Sequence, residues 1–112
     1  MKLITCLIQP ERLPAVKQSL YEAEIFRMTV TNAVGAGQQK GYSETYRGVE
    51  HEVNLLKKVR IEIAVNEDFV EPTIEAIVKG ARTGKIGDGK IWVTDVDRLV
   101  RFRTGEEGAD AV

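Results

Sequence analysis

Apolar and polar residues follow two rhythms along this chain, and each rhythm occurs in both halves. Leu3-Ile-Thr-Cys-Leu-Ile8 is apolar on both faces and reads as a strand that Pro10 ends. Leu13, Val16, Leu20 and Ala23 recur at helical spacing, which predicts an amphipathic helix over 11–23. Phe26, Met28 and Val30 then alternate with Arg27, Thr29 and Thr31, the period of a half-buried strand. The order repeats downstream. Val59, Ile61, Ile63 and Val65 alternate with Arg60, Glu62 and Ala64 in a clear strand. Asn66-Glu-Asp opens a helix whose acidic first turn suits the helix dipole, and Val70, Ile74, Ile77, Val78 and Ala81 form its apolar stripe. Lys90–Asp95 is a further strand, 96–103 a short final element, and 104–112 a polar tail expected to be mobile.

Between the halves the periodicity stops. From Gly35 to about Leu55 the chain carries four glycines and many polar residues, so a long loop is expected over 37–55. Loops of such length inside a compact domain are usually functional. The order β-α-β, loop, β-α-β predicts an α+β, ferredoxin-like double split βαβ within a single domain, 1–112. Both helices would cover one face of a four-stranded antiparallel sheet. The other face would carry Thr5, Leu7, Thr29, Thr31, Glu62 and Trp92. That mixture is too apolar for a solvated face and too polar for a core, which points to an oligomer interface.

Composition narrows the function classes. The chain has 112 residues, 43% hydrophobic and 29% charged, with a net charge of −1, so no global field draws it to nucleic acid or to a membrane surface. No apolar run approaches the roughly 20 residues needed to span a bilayer, Met1-Lys2 leads directly into an amphipathic pattern, and a cytoplasmic protein is expected. Cys6 is the single cysteine, so neither an internal disulfide nor a cysteine-based metal site is available.

The candidate chemistry lies in Thr83-Gly-Lys-Ile-Gly-Asp-Gly-Lys-Ile-Trp-Val. Gly87 and Gly89 bracket Asp88, and Lys90 follows at once. Glycines let a backbone approach a ligand closely, and a turn of main-chain N–H groups beside a cation suits phosphate. Gly-Asp-Gly is also a common tight turn. A second basic cluster follows in Arg98-Leu-Val-Arg101-Phe-Arg103. Arginine forks match phosphate oxygens, although two arginines are equally at home on a solvated edge.

With this organisation in hand, several stretches resemble the PII-type nitrogen-regulatory signal transduction proteins over nearly all of the chain. They are Thr29-Val-Thr31, Gln39-Lys-Gly41, Glu44-Thr-Tyr46-Arg-Gly48, Lys58-Val-Arg-Ile-Glu62, the glycine stretch Thr83–Trp92, and Arg101-Phe-Arg-Thr-Gly-Glu-Glu107. The resemblance implies a trimer that is not an enzyme. ATP or ADP would bind in clefts between neighbouring subunits, and 2-oxoglutarate would bind together with MgATP. The long loop (the T-loop) would dock on targets such as an ammonium channel, acetylglutamate kinase, nitrogenase regulators or transcription factors.

The same resemblance assigns residues. Gly35, Gly37, Gln38, Gly87, Gly89 and Lys90 would approach the phosphates, Thr83 and Asp88 of the same glycine stretch would also bind the nucleotide, and Arg101 and Arg103 would reach in from the neighbour. Leu7, Thr29, Glu62 and Ala64 match base-binding positions, although each also suits ordinary sheet packing. Gln39 matches the Mg²⁺ ligand, an amide oxygen acceptable to a hard cation. Lys58 matches the partner of the distal carboxylate of 2-oxoglutarate, with Lys40 and Gly41 beside it. Tyr46, Arg47 and His51 fall in the partner-binding loop.

Three positions depart from the family pattern. Gln9 and Gln38 stand where cations are common, and Ala36 where phenylalanine is common, so weaker ligand binding is expected. His51 occupies the position of a modified tyrosine and has no phenolic oxygen, and Val49 that of a phosphorylated serine, so regulation without uridylylation at 51 is expected. Three other readings compete. A PII-like sensor of another small molecule would exploit Gln9 and Gln38. A nucleotide-using enzyme would need His51 as phospho-acceptor, without positioned partners. An RNA-binding ferredoxin-like sheet would need exposed aromatics and a basic face that this composition does not supply.

Overall fold

The computed structural model describes residues 1–36, 45–46, 49–50 and 55–112, the two short central pairs by backbone alone. Strand β1, Lys2–Ile8, is followed by a 3₁₀ turn at Pro10–Arg12 and helix α1, Leu13–Glu22. Strand β2 is Thr29–Ala36; β3, Thr45–Tyr46, and β4, Val49–Glu50, pair as a small separate ribbon. Strand β5, Leu55–Val65, leads through a 3₁₀ turn at Glu67–Phe69 into helix α2, Val70–Ala81, and strand β6 is Gly89–Asp95.

The main sheet has the order β2-β5-β1-β6, and every neighbouring pair is antiparallel. This is the α+β, ferredoxin-like arrangement expected from the repeated pattern. Ile4, Cys6, Ile8, Val59, Ile61, Ile63 and Val65 alternate onto the helix-covered face and bury against Val16, Leu20 and Ile77. Full burial of each of these side chains contributes about 1.5–3 kcal/mol. Cys6 belongs to this core, and desolvation pushes its thiol up to about 11, so it packs as an inert apolar residue.

Helix α1 begins at Leu13 rather than at 11, β5 begins at Leu55 rather than at Val59, and three further expectations change. Strand β2 begins at Thr29, not Phe26, because the chain first turns through Glu24, held at φ 62°. Phe26 lies outside the sheet, exposed and edge-to-face with Tyr21 at 5.4 Å. Gly35 and Ala36, read as loop, extend β2 by pairing with Leu56 and Leu55. The buried stripe of α2 is rotated from the expected one. Thr73, Ala76, Ile77, Gly80 and Ala81 are buried, whereas Val78 is exposed. The reason is close helix contact: a Cβ on Gly80 would lie 2.6 Å from Val16 Cα. Arg12 reinforces this contact by donating from Nε and Nη2 to the Gly80 carbonyl at 2.9 and 2.7 Å.

The end of the chain differs most. Residues 96–103 form no regular element. Val100 instead bridges Glu107 in a short antiparallel return. The expected mobile tail folds back as a 3₁₀ turn, Gly108–Ala111, with Ala111 buried.

Candidate functional site

The register places the expected residues of the open sheet face in rows. Thr29 lies opposite Glu62, Glu62 opposite Thr5, and Thr5 opposite Trp92. The next row is Thr31, Arg60, Leu7 and Lys90. Residues directly opposite share a face, so Leu7, Thr29, Glu62 and Lys90 lie on one face of the sheet, in two neighbouring rows. Thr5, in the middle, is only 1% exposed although no helix covers its face. Arg60 and Glu62 pair along β5 at 3.3 Å.

The glycine loop connects α2 to β6 and closes over the end of β1. Gly84, Gly87 and Gly89 have φ of 84°, 97° and 105°. Gly89 admits no side chain: a Cβ there would sit 1.8 Å from the Leu7 carbonyl oxygen. Asp88 turns its carboxylate back onto the loop. Its carboxylate accepts from the Thr83 and Gly84 main-chain N–H groups, each at 2.8 Å, and from the Thr83 hydroxyl. The chain's own carboxylate therefore occupies this cradle of donors, and Asp88 and Thr83 brace the loop.

These donors, led by the Thr83 hydroxyl, hold the Asp88 carboxyl below its ordinary value of 3.8. Because the folded value is depressed, the bracing is present above the unfolded value and is lost as pH falls through the lower folded one. An NMR pH titration of the Thr83 and Gly84 amides should report this transition below pH 3.8. Asp88→Ala should abolish it while leaving the core resonances unchanged.

Lys58 is the one buried charged side chain among the described residues. It lies on β5, is only 9% exposed, and donates from Nζ to the Gly87 carbonyl at 3.1 Å. No carboxylate pairs with it among the described residues. A buried ammonium is costly unless an anion compensates it. Gln9 reaches the same point, since a Cβ on Gly87 would fall 2.8 Å from its Nε2 and 3.9 Å from Lys58 Nζ. Gln9 therefore supplies an amide where a second cation is common in the resemblance, and Lys58 is the charge beside Gly87 among the described residues.

A second hollow, of about 450 Å³, lies further along the open face and includes Leu3, Thr29, Glu62 and Ala64. Leu99, Ala111 and Val112 wall it. Glu62 is four residues from Lys58 on β5, which corresponds to about 13 Å of strand. A third cleft, about 300 Å³ and mainly apolar, runs between α2 and β6 beside the glycine loop.

Arg101 and Arg103 behave differently from one another. Both are expected to reach into a neighbouring subunit, and Arg101 also has partners within its own chain. Its Nη2 donates to the Val112 main-chain oxygen at 3.2 Å, and its Nη1 lies 3.7 Å from Glu106. Arg103 is exposed on the turn that carries the fully exposed Phe102, with no ion pair to a described residue. Gly35 lies on β2 against the Lys58 side chain. Gly37, Gln38, Gln39, Lys40, Gly41, Arg47 and His51 lie outside the described residues, and Tyr46 is placed by backbone in β3. Sequence reasoning missed Ala111 and Val112, which carry no chemical signature beyond their position.

Among the described residues, no helix is long and apolar enough to cross a membrane. A family profile described as Nitrogen regulatory protein P-II matches residues 1–106. Nitrogen regulatory protein P-II of Mesorhizobium japonicum is 53% identical over 112 residues, covering all of both chains. Nitrogen regulatory protein P-II 1 of Escherichia coli is 50% identical over 112 residues with the same complete coverage. Nitrogen regulatory protein GlnK1 of Methanosarcina mazei is 50% identical over 114 residues, covering 100% of this chain and 97% of its own. The fold, the glycine loop and these matches lead to one conclusion: the chain belongs to the P-II family of nitrogen-regulatory signal proteins.

Proposed function

We propose that this protein is a homotrimeric sensor that binds ATP and ADP competitively and binds 2-oxoglutarate only alongside MgATP, reporting the result to target proteins through the loop over 37–55. The observation that carries this reading is the buried Lys58 ammonium, seated on Gly87 in a glycine loop that continues into Lys90. A cation removed from water, with a carbonyl as its acceptor among the described residues, favours an anion. Glycine conformations that admit no Cβ, followed by a second ammonium, suit a polyphosphate.

In this reading Leu7, Thr29, Glu62 and Ala64 provide the base slot. Gly35, Gly37, Gln38, Gly87, Gly89 and Lys90 meet the phosphates. Arg103 comes from a neighbouring subunit, as does Arg101, already oriented by its own chain. Gln39 would offer its amide oxygen to Mg²⁺, and Lys58, Lys40 and Gly41 would receive the carboxylates of 2-oxoglutarate. Tyr46, Arg47 and His51 would contact the target, of which an ammonium channel or a nitrogen-metabolism enzyme is the expected kind. When bound, Mg²⁺ supplies charge neutralisation between the nucleotide and the 2-oxo acid. Regulation by ligand occupancy, without catalysis, in the cytoplasm completes the proposal.

Native mass spectrometry tests the whole reading. The expected species is a trimer with three ATP or three ADP, gaining 2-oxoglutarate only in the presence of ATP and Mg²⁺. Lys90→Ala should bind nucleotide at least tenfold more weakly, a loss of about 1.4 kcal/mol or more. A monomer, or 2-oxoglutarate uptake of equal extent with ADP, would contradict the proposal.

A further inference from the structure

The residues after β6 form an ordered return that ends against the second hollow. Arg101 N donates to Glu106 O at 2.9 Å, and Gly108 N donates to Leu99 O at 3.0 Å. Arg98 adds a fork onto Glu107 Oε1, with Nε at 2.7 Å and Nη2 at 2.6 Å. Gly108, at φ 72°, then turns the chain inward. Asn66 Nδ2 holds the Ala109 carbonyl at 3.1 Å, and Ala111 is only 6% exposed. The Val112 main-chain oxygen accepts from Arg27 Nη1 at 3.1 Å and from Arg101 Nη2 at 3.2 Å.

We infer that Gly108–Val112 is a positioning element for nucleotide binding: it walls the hollow at Thr29, Glu62 and Ala64 and fixes the Arg101 guanidinium. The inference rests on the nucleotide reading above and deepens it. A guanidinium has five N–H donors in a rigid fork. Val112 takes one edge and Glu106 draws another, so the head group is oriented while further donors stay available for a phosphate oxygen. An arginine side chain otherwise loses large rotamer freedom on binding, and orienting it in advance lowers that cost. The acceptor is a main-chain oxygen, so its influence is set by where the segment docks. The docking depends on a buried alanine too small to tolerate replacement by a charged residue.

Isothermal calorimetry on the full chain tests this with ATP as the probe. Ala111→Glu, which ejects the segment, should weaken ATP binding about tenfold, the equivalent of one charge-assisted hydrogen bond. Asn66→Ala removes the donor that holds the Ala109 carbonyl without burying a charge or changing the lining of the hollow, and should weaken ATP binding about threefold, so it carries the test if Ala111→Glu fails to fold. Glu75→Ala, on the exposed face of α2, should bind as the unaltered protein does. In an Arg101→Ala background, Ala111→Glu should cause a smaller further loss, the part that comes from the wall of the hollow. Normal affinity in Asn66→Ala and Ala111→Glu, or a full additive loss on top of Arg101→Ala, overturns the inference. If the unaltered protein takes up no ATP, both the nucleotide reading and this inference fall. If it binds ATP and the variants bind equally, this inference alone falls.

Discussion

Gly89→Ala should destabilise the fold by about 3–5 kcal/mol, a large share of the total stability of a domain this size. Two effects combine. The φ of 105° disfavours any residue with a Cβ, at a cost of roughly 1–2 kcal/mol. The new methyl would also meet the Leu7 carbonyl oxygen at 1.8 Å and the Leu7 carbonyl carbon at 2.9 Å. Both are main-chain atoms of the central strand β1, so no rotamer change relieves the contact and β6 must separate from β1 at its first residue. Urea denaturation should give a much lower midpoint, and the melting temperature should fall by roughly 12 °C or more. A variant melting within a few degrees of the parent would show that the turn can be rebuilt at small cost.

Gly80→Ala should also destabilise, by about 2–3 kcal/mol, although the same change in an exposed helix gains about 1 kcal/mol. The sign follows from packing. The added Cβ would lie 2.6 Å from Val16 Cα, 2.8 Å from the Ala15 carbonyl oxygen and 2.8 Å from Val16 N. All three belong to the backbone of α1, so the helices must move apart. That movement stretches the Arg12 bonds to the Gly80 carbonyl and opens gaps around Val16 and Ile77. The chemical-denaturation midpoint reads the sign directly, and an increase would refute the close-contact account.

These two glycines mark a limit of what the sequence reveals. The alternation at 59–65 and the 3.6-residue spacing in 13–23 and 70–81 report burial on one face, and the elements formed there as read. Gly80 looks like a blemish in that pattern until its neighbour helix is in place. Gly35 and Ala36 were read as loop because their strand partners, Leu56 and Leu55, lie across the long insertion. Such pairing leaves no local trace. Ala111 escaped notice for a related reason: a small residue in a polar tail carries no hydrophobic signal, and main-chain acceptors at 109 and 112 have no signature.

The site was legible in its parts and less so in its roles. Glycine spacing located the loop at 83–90, and the strand period placed Leu7, Thr29 and Glu62 on one face, to which the structure adds Lys90 opposite Leu7. The identity of Asp88 gave no hint that its carboxylate would turn inward onto Thr83 and Gly84. Nor did Lys58, midway along a strand of mixed character, announce that it would be buried. Burial of a charge is decided by what surrounds it, here Gln9 and the Gly87 turn, which approach from other parts of the chain.

Strand β5 spans eleven residues and is bonded on both sides, to β1 through Lys2–Ile8 and to β2 through Thr29–Ala36. A slip of one residue would exchange Ile61 and Ile63 for Arg60 and Glu62 in the core, so the strand cannot slide. From Val59 to Glu62 the strand is bonded on both sides at once, which locks its register. Substitutions between β2 and β5 can therefore accumulate without shifting which residues of β5 face the core.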